Sequence, residues 1–201
     1  MSKQSNVVKS EEGYDMYAEF YDKQGSYLSS FESEKLWMIL KNLKGKKILD
    51  LGCGTGRLIP ILSGEIIGAD VSEKMLAIAK KRFPKIKFLK EDALNLSFED
   101  ESFDAVVCAF LIVHIKDPAK LFEEVYRVIK PGGVFVLTNI NQRKGPKLEL
   151  NKKKTIVIQS FYHLPQHVRE ALKENFFTIE KEEFVYEGEV WVNQIILARK
   201  K

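Results

Sequence analysis

Three carboxylates, Asp50, Asp70 and Asp92, stand at or just past the ends of short apolar runs. The first leads into alternating glycines, Gly52, Gly54 and Gly56, within the stretch Lys46 to Arg57 (KKILDLGCGTGR). Ile48, Leu49 and Leu51 read as a strand that runs into a glycine-rich turn around Cys53, and a helical pattern follows. Glycine allows positive φ and lets a ligand approach the backbone closely. Unpaired N–H groups at the next helix's start suit an anionic ligand group. Strand, glycine turn and helix together form the mononucleotide-binding opening of a doubly wound sheet. The dinucleotide fingerprint G-x-G-x-x-G needs a glycine at position 57, where this chain has Arg57.

Asp70 closes a second apolar run, EIIGAD, near the offset at which an acid meets ribose hydroxyls in such folds. A carboxylate accepts from both hydroxyls at once, and hydrogen bonds to charged groups are worth roughly 1.5–3 kcal/mol each. Ser72 is the better cap for the helix that follows. On that helix Met75, Leu76, Ala79 and Phe83 share one face, and Pro84 ends it.

Asp50-x-Gly52-x-Gly54-x-Gly56 resembles the first motif of the class I S-adenosylmethionine-dependent methyltransferases. The resemblance continues through Asp92-Ala93, Phe103-Asp104, the run DAVVCAF and Lys130-Pro131-Gly132-Gly133, in the family's order. It implies S-adenosyl-L-methionine as cofactor, S-adenosyl-L-homocysteine as product, and no metal. It also implies cofactor contacts from Gly52, Cys53, Gly54 and Gly56, from Asp70 with Val71 and Met75, and from Asp92-Ala93 at the adenine edge. Asp50 would orient the glycine turn and the cofactor's ammonium group. Tyr14-Asp15-x-x-Ala18-x-x-Tyr21-Asp22 resembles the lid of many small-molecule methyltransferases, in which a tyrosine reaches the cofactor's carboxylate. The same residues also read as an amphipathic helix on the sheet edge.

The elements that position these residues follow in order. Residues 1 to about 10 read as a frayed terminus, and 1–30 as an N-terminal lid segment. Ser30 is a candidate cap for a helix with Leu36, Ile39, Leu40 and Leu43 on one face, ended by Gly45. Leu58, Ile59, Ile61 and Leu62 predict a short helix with Pro60 in its first turn. Ile86 to Lys90 is a third strand. Asp104 to Phe110 is a near-continuous apolar run, as a strand buried on both faces requires. Ligands bind beyond the carboxyl ends of such strands, so Ala109 and Phe110 face the site. Asp117 and Pro118 open a helix carrying Leu121, Phe122, Val125, Val128 and Ile129. Lys130 to Gly133 is a sharp stop and turn, and Val134 to Thr138 a fifth strand. Residues 140–163 form a variable substrate-side loop, with a basic cluster between 143 and 154 that reads as solvated. Pro165 opens a last helix with Val168, Ala171, Leu172 and Phe176 inward. A hairpin around Gly188 supplies the final two strands. The expected fold is a three-layer, doubly wound α/β domain spanning 1–201. Its seven-stranded sheet is mostly parallel, with helices on both faces and an antiparallel last strand.

A methyl transfer from a sulfonium needs a general base only if the acceptor must lose a proton. His114, just past the DAVVCAF strand, is the candidate by position; the alternative is a structural hydrogen bond at the start of a helix. His163, His167 and Tyr162 are further candidates for substrate contact. No His, Cys and Asp set has metal-ligand spacing.

The 201 residues are 45% hydrophobic and 30% charged, which excludes a disordered chain. A net charge of +4 is too mild for a dedicated nucleic-acid binder. No apolar run approaches the roughly 20 residues that span a bilayer, and the N-terminus lacks a signal-peptide core. Cys53 and Cys108 sit in a turn and an apolar strand, without disulfide spacing. A cytoplasmic enzyme acting on a small-molecule acceptor is expected. The alternatives are an RNA or protein methyltransferase using the basic loop 143–154, a non-catalytic cofactor-binding subunit, and a nicotinamide-dependent dehydrogenase. Arg57 and Asp92-Ala93 speak against the last. The stretch Ala109-Phe110-Leu111-Ile112 stands where base-methylating enzymes carry Asn-Pro-Pro-Tyr.

Overall fold

The computed structural model describes residues 6–24, 34–151 and 154–201. In chain order its elements are β1 (Asn6–Val8), α1 (Ser10–Tyr21), a 3-10 turn (Asp22–Gln24), α2 (34–41), β2 (Lys46–Leu51), β3 (Gly64–Asp70), α3 (Glu73–Arg82) and β4 (Lys87–Lys90). There follow β5 (Phe103–Cys108), a second 3-10 turn (Ile112–His114), α4 (Pro118–Val128), β6 (Ile129–Ile140), β7 (Lys147–Asn151), β8 (Lys154–Ile158), α5 (Pro165–Glu174), β9 (Phe177–Glu187) and β10 (Val190–Lys200).

Seven strands form one sheet in the order β4-β3-β2-β5-β6-β10-β9. All its pairings are parallel except the two made by β10, so β10 alone runs against the rest. The middle strands are buried on both faces, which is why Ala105, Val106, Val107 and Cys108 are uninterruptedly apolar. On one face α4 and α5 seal Leu49, Val106 and Phe135 under Phe122, Val125, Val168 and Leu172. On the other face α2, α3 and the segment 58–62 cover Ile48, Val107 and Val136.

Local capping chemistry sets where the helices begin. Ser72 Oγ accepts from the Met75 N–H at 3.2 Å to start α3, and Asp117 accepts from the Ala119 N–H at 3.2 Å to start α4. Pro118 and Pro165 occupy first-turn positions, where their missing N–H costs nothing. Asp104, at the start of β5, accepts from the Lys47 N–H at 2.7 Å and from Lys130 Nζ at 2.8 Å, tying three neighbouring strands together.

Five expectations are corrected. Residues 58–62 are successive turns rather than a helix, closed by bonds such as Ile61 N–H to the Leu58 carbonyl. Pro60 and Gly64 leave too few residues between them to propagate a helix after its costly first turn. Lys130 to Gly133 lies within β6 as a looped-out irregularity: Phe103 pairs with Ile129 and Ala105 with Val134. Phe176 is 70% exposed at φ +64, and Phe177 takes the buried place expected for it. The supposedly frayed terminus contains β1, and the supposedly solvated loop contains β7 and β8. The order β1-β8-β7 makes a separate three-stranded sheet. The Ser30 cap lies outside the described residues. Among the described residues no helix is long and apolar enough to cross a membrane.

The small sheet exists to carry α1. Ile156, Ile158 and Leu148 bury themselves against Tyr17, with Tyr14, Phe20 and Tyr21 packed alongside. Gly13 is the contact point: a Cβ there would sit 2.8 Å from Ile158. Gly13→Val should therefore cost about 1–3 kcal/mol by overpacking. Amide exchange in α1 should accelerate while the seven-stranded core stays protected. Unchanged exchange across residues 10–21 would contradict this packing.

Candidate functional site

β2, β3 and β5 end side by side, and one cavity opens at their carboxyl ends, where crevice ligands bind in open α/β sheets. Gly52 and Gly54 line it after β2, Asp70, Val71 and Met75 at and after β3, and Ala109, Phe110 and Leu111 after β5. From α1 come Ser10, Tyr14, Tyr17 and Tyr21. Val113, His114, Ile140, Gln142, Pro146 and Leu148 complete the lining. Ten residues singled out from the sequence thus meet here: Tyr14, Tyr21, Gly52, Gly54, Asp70, Val71, Met75, Ala109, Phe110 and His114. Asp50, Cys53, Gly56, Asp92 and Ala93 do not line it.

The glycine turn is pinned from β3. The N–H groups of Gly52 and Cys53 both donate to the Ala69 carbonyl, at 2.8 and 3.0 Å. Gly52, Gly54 and Gly56 have φ of +75, +54 and +80, a region other residues enter at a cost. The Gly54 N–H donates to Asp70 Oδ2 at 2.8 Å, and the Ser72 N–H donates to Oδ1 at 2.9 Å. These bonds hold the carboxylate at the cavity wall, while burial raises its pKa. Asp50 lies beneath the turn, 2% exposed, and its Oδ2 has no hydrogen-bond partner. Burial, reinforced by the Asp70 charge, pushes its carboxyl up to about 7.

Asp92 lies past β4, where its Oδ1 accepts from the Leu94 N–H at 2.9 Å and its backbone bridges to Asn95. Ala93 is buried in the sheet core. The pair shapes the turn after β4 and is not among the residues that line the cavity.

α1 is strapped across the site through its polar side chains. Asp15 accepts from Ser72 Oγ, and Asp22 accepts from Thr55 Oγ1 at 2.7 Å and from Arg82 at 3.3 Å. The Tyr14 hydroxyl lies 2.9 Å from His114 Nε2. His114 Nδ1 faces the Gln159 carbonyl at 3.2 Å. A carbonyl only accepts, so Nδ1 carries the proton and Nε2 takes the Tyr14 O–H. Burial lowers the His114 pKa and keeps the ring neutral. The segment after β8 aims this ring: the Phe161 N–H donates to the Val113 carbonyl at 2.7 Å. His163 Nε2 donates to the carbonyls of Ile112 and Ile115 at 3.0 and 2.9 Å, a bracing role outside the cavity. His167 is exposed on α5.

Tyr17 belongs to the aromatic face Tyr14–Tyr21 that the sequence shows; Gln142, Pro146 and Leu148 were not singled out within the loop 140–163 and reach the lining around β7. Sequence reasoning read Arg57 only as a residue unfit for a dinucleotide turn.

The family model for a methyltransferase domain matches residues 49–137, from β2 through most of β6. A demethylmenaquinone methyltransferase of Staphylococcus saprophyticus is 34% identical over 158 residues, covering 70% of this chain and 67% of the relative. The chain belongs to the class I S-adenosylmethionine-dependent methyltransferases. The demethylmenaquinone methyltransferase of Staphylococcus aureus is 37% identical over 136 residues. That match covers 61% of this methyltransferase and just over half, 56%, of the relative. A solved structure from Pyrococcus horikoshii superposes with a TM-score of 0.71 at 26% identity, over 87% of this chain and 91% of that one. The domain match stops before β7, so the elements carrying Gln142, Pro146 and Leu148 lie outside it.

Asp50 makes the stability of this methyltransferase depend on pH in a defined direction. Its carboxyl is raised from 3.8 to about 7 on folding. Between those values the folded state holds a proton that the unfolded state has lost, so stability falls as pH rises. The full loss reaches about 4 kcal/mol above pH 7. Asp50→Asn should gain on the wild type between pH 5 and pH 8 in denaturant titrations. A pH-independent gap between the two proteins would contradict the burial of this acid.

Proposed function

We propose that this methyltransferase methylates an apolar small molecule that surrenders a proton to His114. The cofactor's chemistry fits the residues present. Asp50, beneath the glycine turn rather than on the cavity wall, offers a buried acceptor oxygen without a partner, which would favour an ammonium group on the other side of the turn. Asp70 brings a carboxylate to the cavity, suited to a ribose diol. Gly52 and Gly54 leave room for close backbone approach. S-adenosylmethionine supplies a methyl group that is already strongly electrophilic, so the protein's work is alignment, water exclusion and proton handling. Alignment alone is worth up to roughly 7–11 kcal/mol.

The acceptor end of the cavity supports the substrate class. Tyr17, Val113, Ile140, Pro146 and Leu148 are apolar or aromatic, and Gln142 is the uncharged polar group among them. Asp70 is the only acid or cation among the described lining residues, and it belongs to the glycine-turn side. A charged acceptor would therefore be left unpaired there. The name of the staphylococcal relatives, demethylmenaquinone methyltransferase, agrees with a small-molecule acceptor. Of the basic residues near 143–154, Arg143 is stacked over Tyr162, and no observation favours a nucleic-acid partner.

The observation that carries the proton-transfer step is the Tyr14–His114 contact, with Nδ1 committed to the Gln159 carbonyl. His114 Nε2 already accepts from the Tyr14 hydroxyl, so the acceptor's proton would reach it through that hydroxyl. Transfer of the methyl would break its bond to the cofactor's sulfur, which keeps the electron pair; Tyr14 would take the acceptor's proton as it hands its own to Nε2, and the imidazole would become cationic. Labelled-methyl transfer to a panel of phenols, quinols and amines tests this. His114→Gln should lower kcat by about 10²–10⁴-fold with cofactor affinity unchanged. Because burial lowers the His114 pKa from 6.5, wild-type kcat should rise through a limb below pH 6.5 and stay level above it. A rate indifferent to His114→Gln, or a limb above pH 7, would sink the assignment.

A further inference from the structure

The described cavity lining includes Asp70 and no cation. S-adenosylmethionine carries a carboxylate as well as an ammonium group, and no lining residue answers the carboxylate's charge. We propose that Arg57 is the receptor for that carboxylate, reaching it between Tyr21 and Phe110. This rests on the cofactor reading above and assigns a residue to one end of the cofactor.

Arg57 directly follows the glycine turn. Its Nε and Nη1 are shut off from solvent, so the guanidinium points into the protein. It is hydrogen-bonded to the Tyr21 side chain. Its Cζ lies 5.1 Å from the centre of the Phe110 ring. Tyr21 and Phe110 both line the cavity, so the cation stands directly behind two wall residues. A guanidinium stacked by its face still presents its N–H edge, and that edge matches a carboxylate two-pronged.

Phe110 holds a conformation that phenylalanine rarely adopts, φ +62. The Thr138 hydroxyl accepts from its N–H at 2.8 Å and helps keep it there. The result is a ring fixed under the guanidinium. The acid acting on Arg57, Asp22, is shared: Thr55 donates to one of its oxygens and Arg82 to the other. Acids at 50 and 70 and a cation at 57 thus flank the same glycine turn, an arrangement suited to a zwitterionic amino-acid tail.

The test is calorimetric titration of the full chain with two probes. S-adenosylhomocysteine carries the amino-acid tail, whereas 5'-methylthioadenosine is the same nucleoside thioether without it. Arg57→Gln should weaken S-adenosylhomocysteine binding roughly 10–100-fold, as loss of a charged hydrogen-bonding group does. It should change methylthioadenosine binding less than about twofold. Arg57→Lys keeps the charge but loses the planar fork. It should weaken S-adenosylhomocysteine alone, by about 3–10-fold, and it gives the answer if Arg57→Gln fails to fold. Equal losses for both probes, or undiminished S-adenosylhomocysteine affinity, would overturn the assignment while leaving the cofactor site standing. A wild-type chain that binds neither probe would overturn the cofactor reading as well.

Discussion

Two carboxyl groups are buried at the glycine turn, and the surrounding structure is arranged around that fact. Asp50 and Asp70 stand at the ends of neighbouring parallel strands, and burial together with the Asp70 charge raises the cost of ionising Asp50. Asp70 remains usable because two backbone N–H groups, from Gly54 and Ser72, donate to it. Those donors exist only because the turn enters positive φ and because α3 begins one residue later. Asp50 has no such donors, and its carboxyl titrates near neutrality instead. A buried carboxyl without donors favours a nearby positive charge, which a sulfonium nucleoside with an ammonium tail would supply.

The second constraint is enclosure. Methyl transfer requires a dry, aligned encounter, and a strand-end crevice in an open sheet is wet on one side. Here the roof is α1, and its support comes from the three-stranded sheet rather than from the main sheet. Tyr17 is buried against Leu148, Ile156 and Ile158, while Tyr14 and Tyr21 turn towards the cavity. The polar straps of α1 and the turn that follows it run to the glycine turn and the start of α3: Asp15 to Ser72, Asp22 to Thr55, Tyr21 to Arg57. Order in α1 and order in those loops are therefore linked by contact, with no long-range relay needed.

What was legible in the sequence was what is encoded locally. The β2 apolar run, its glycines and the Asp117-Pro118 and Ser72 caps all declare themselves within a few residues. The doubly wound order followed from their sequence along the chain. The small sheet was illegible for a physical reason. β1 has three residues, and its partner β8 lies about 150 positions away, so no local pattern records the pairing. Lysines on β7 and β8 further disguised strands whose buried side is only Leu148, Ile156 and Ile158. The segment 58–62 was misread because its apolar spacing reflects packing on Ile48 and Leu76 rather than helical propagation. His114 was visible as a residue type, but its tautomer is set by Gln159 and its partner by Tyr14, both distant in sequence.

Phe110 joins these themes. Its left-handed backbone costs on the order of 1–3 kcal/mol, which a residue free to relax would shed. It persists because Thr138, on β6, accepts from its N–H, while Arg57 covers its ring. The chain must turn sharply at this point: β5 has just ended, and Leu111 has to reach over Gly52, where a Cβ would lie 3.2 Å away. A glycine at 110 would relieve the backbone, yet it would remove the surface on which the guanidinium rests. The strain is thus explained by the pocket wall, not by the sheet. The strand end is bent out of its comfortable geometry so that an aromatic face stands in the pocket wall beside the glycine turn.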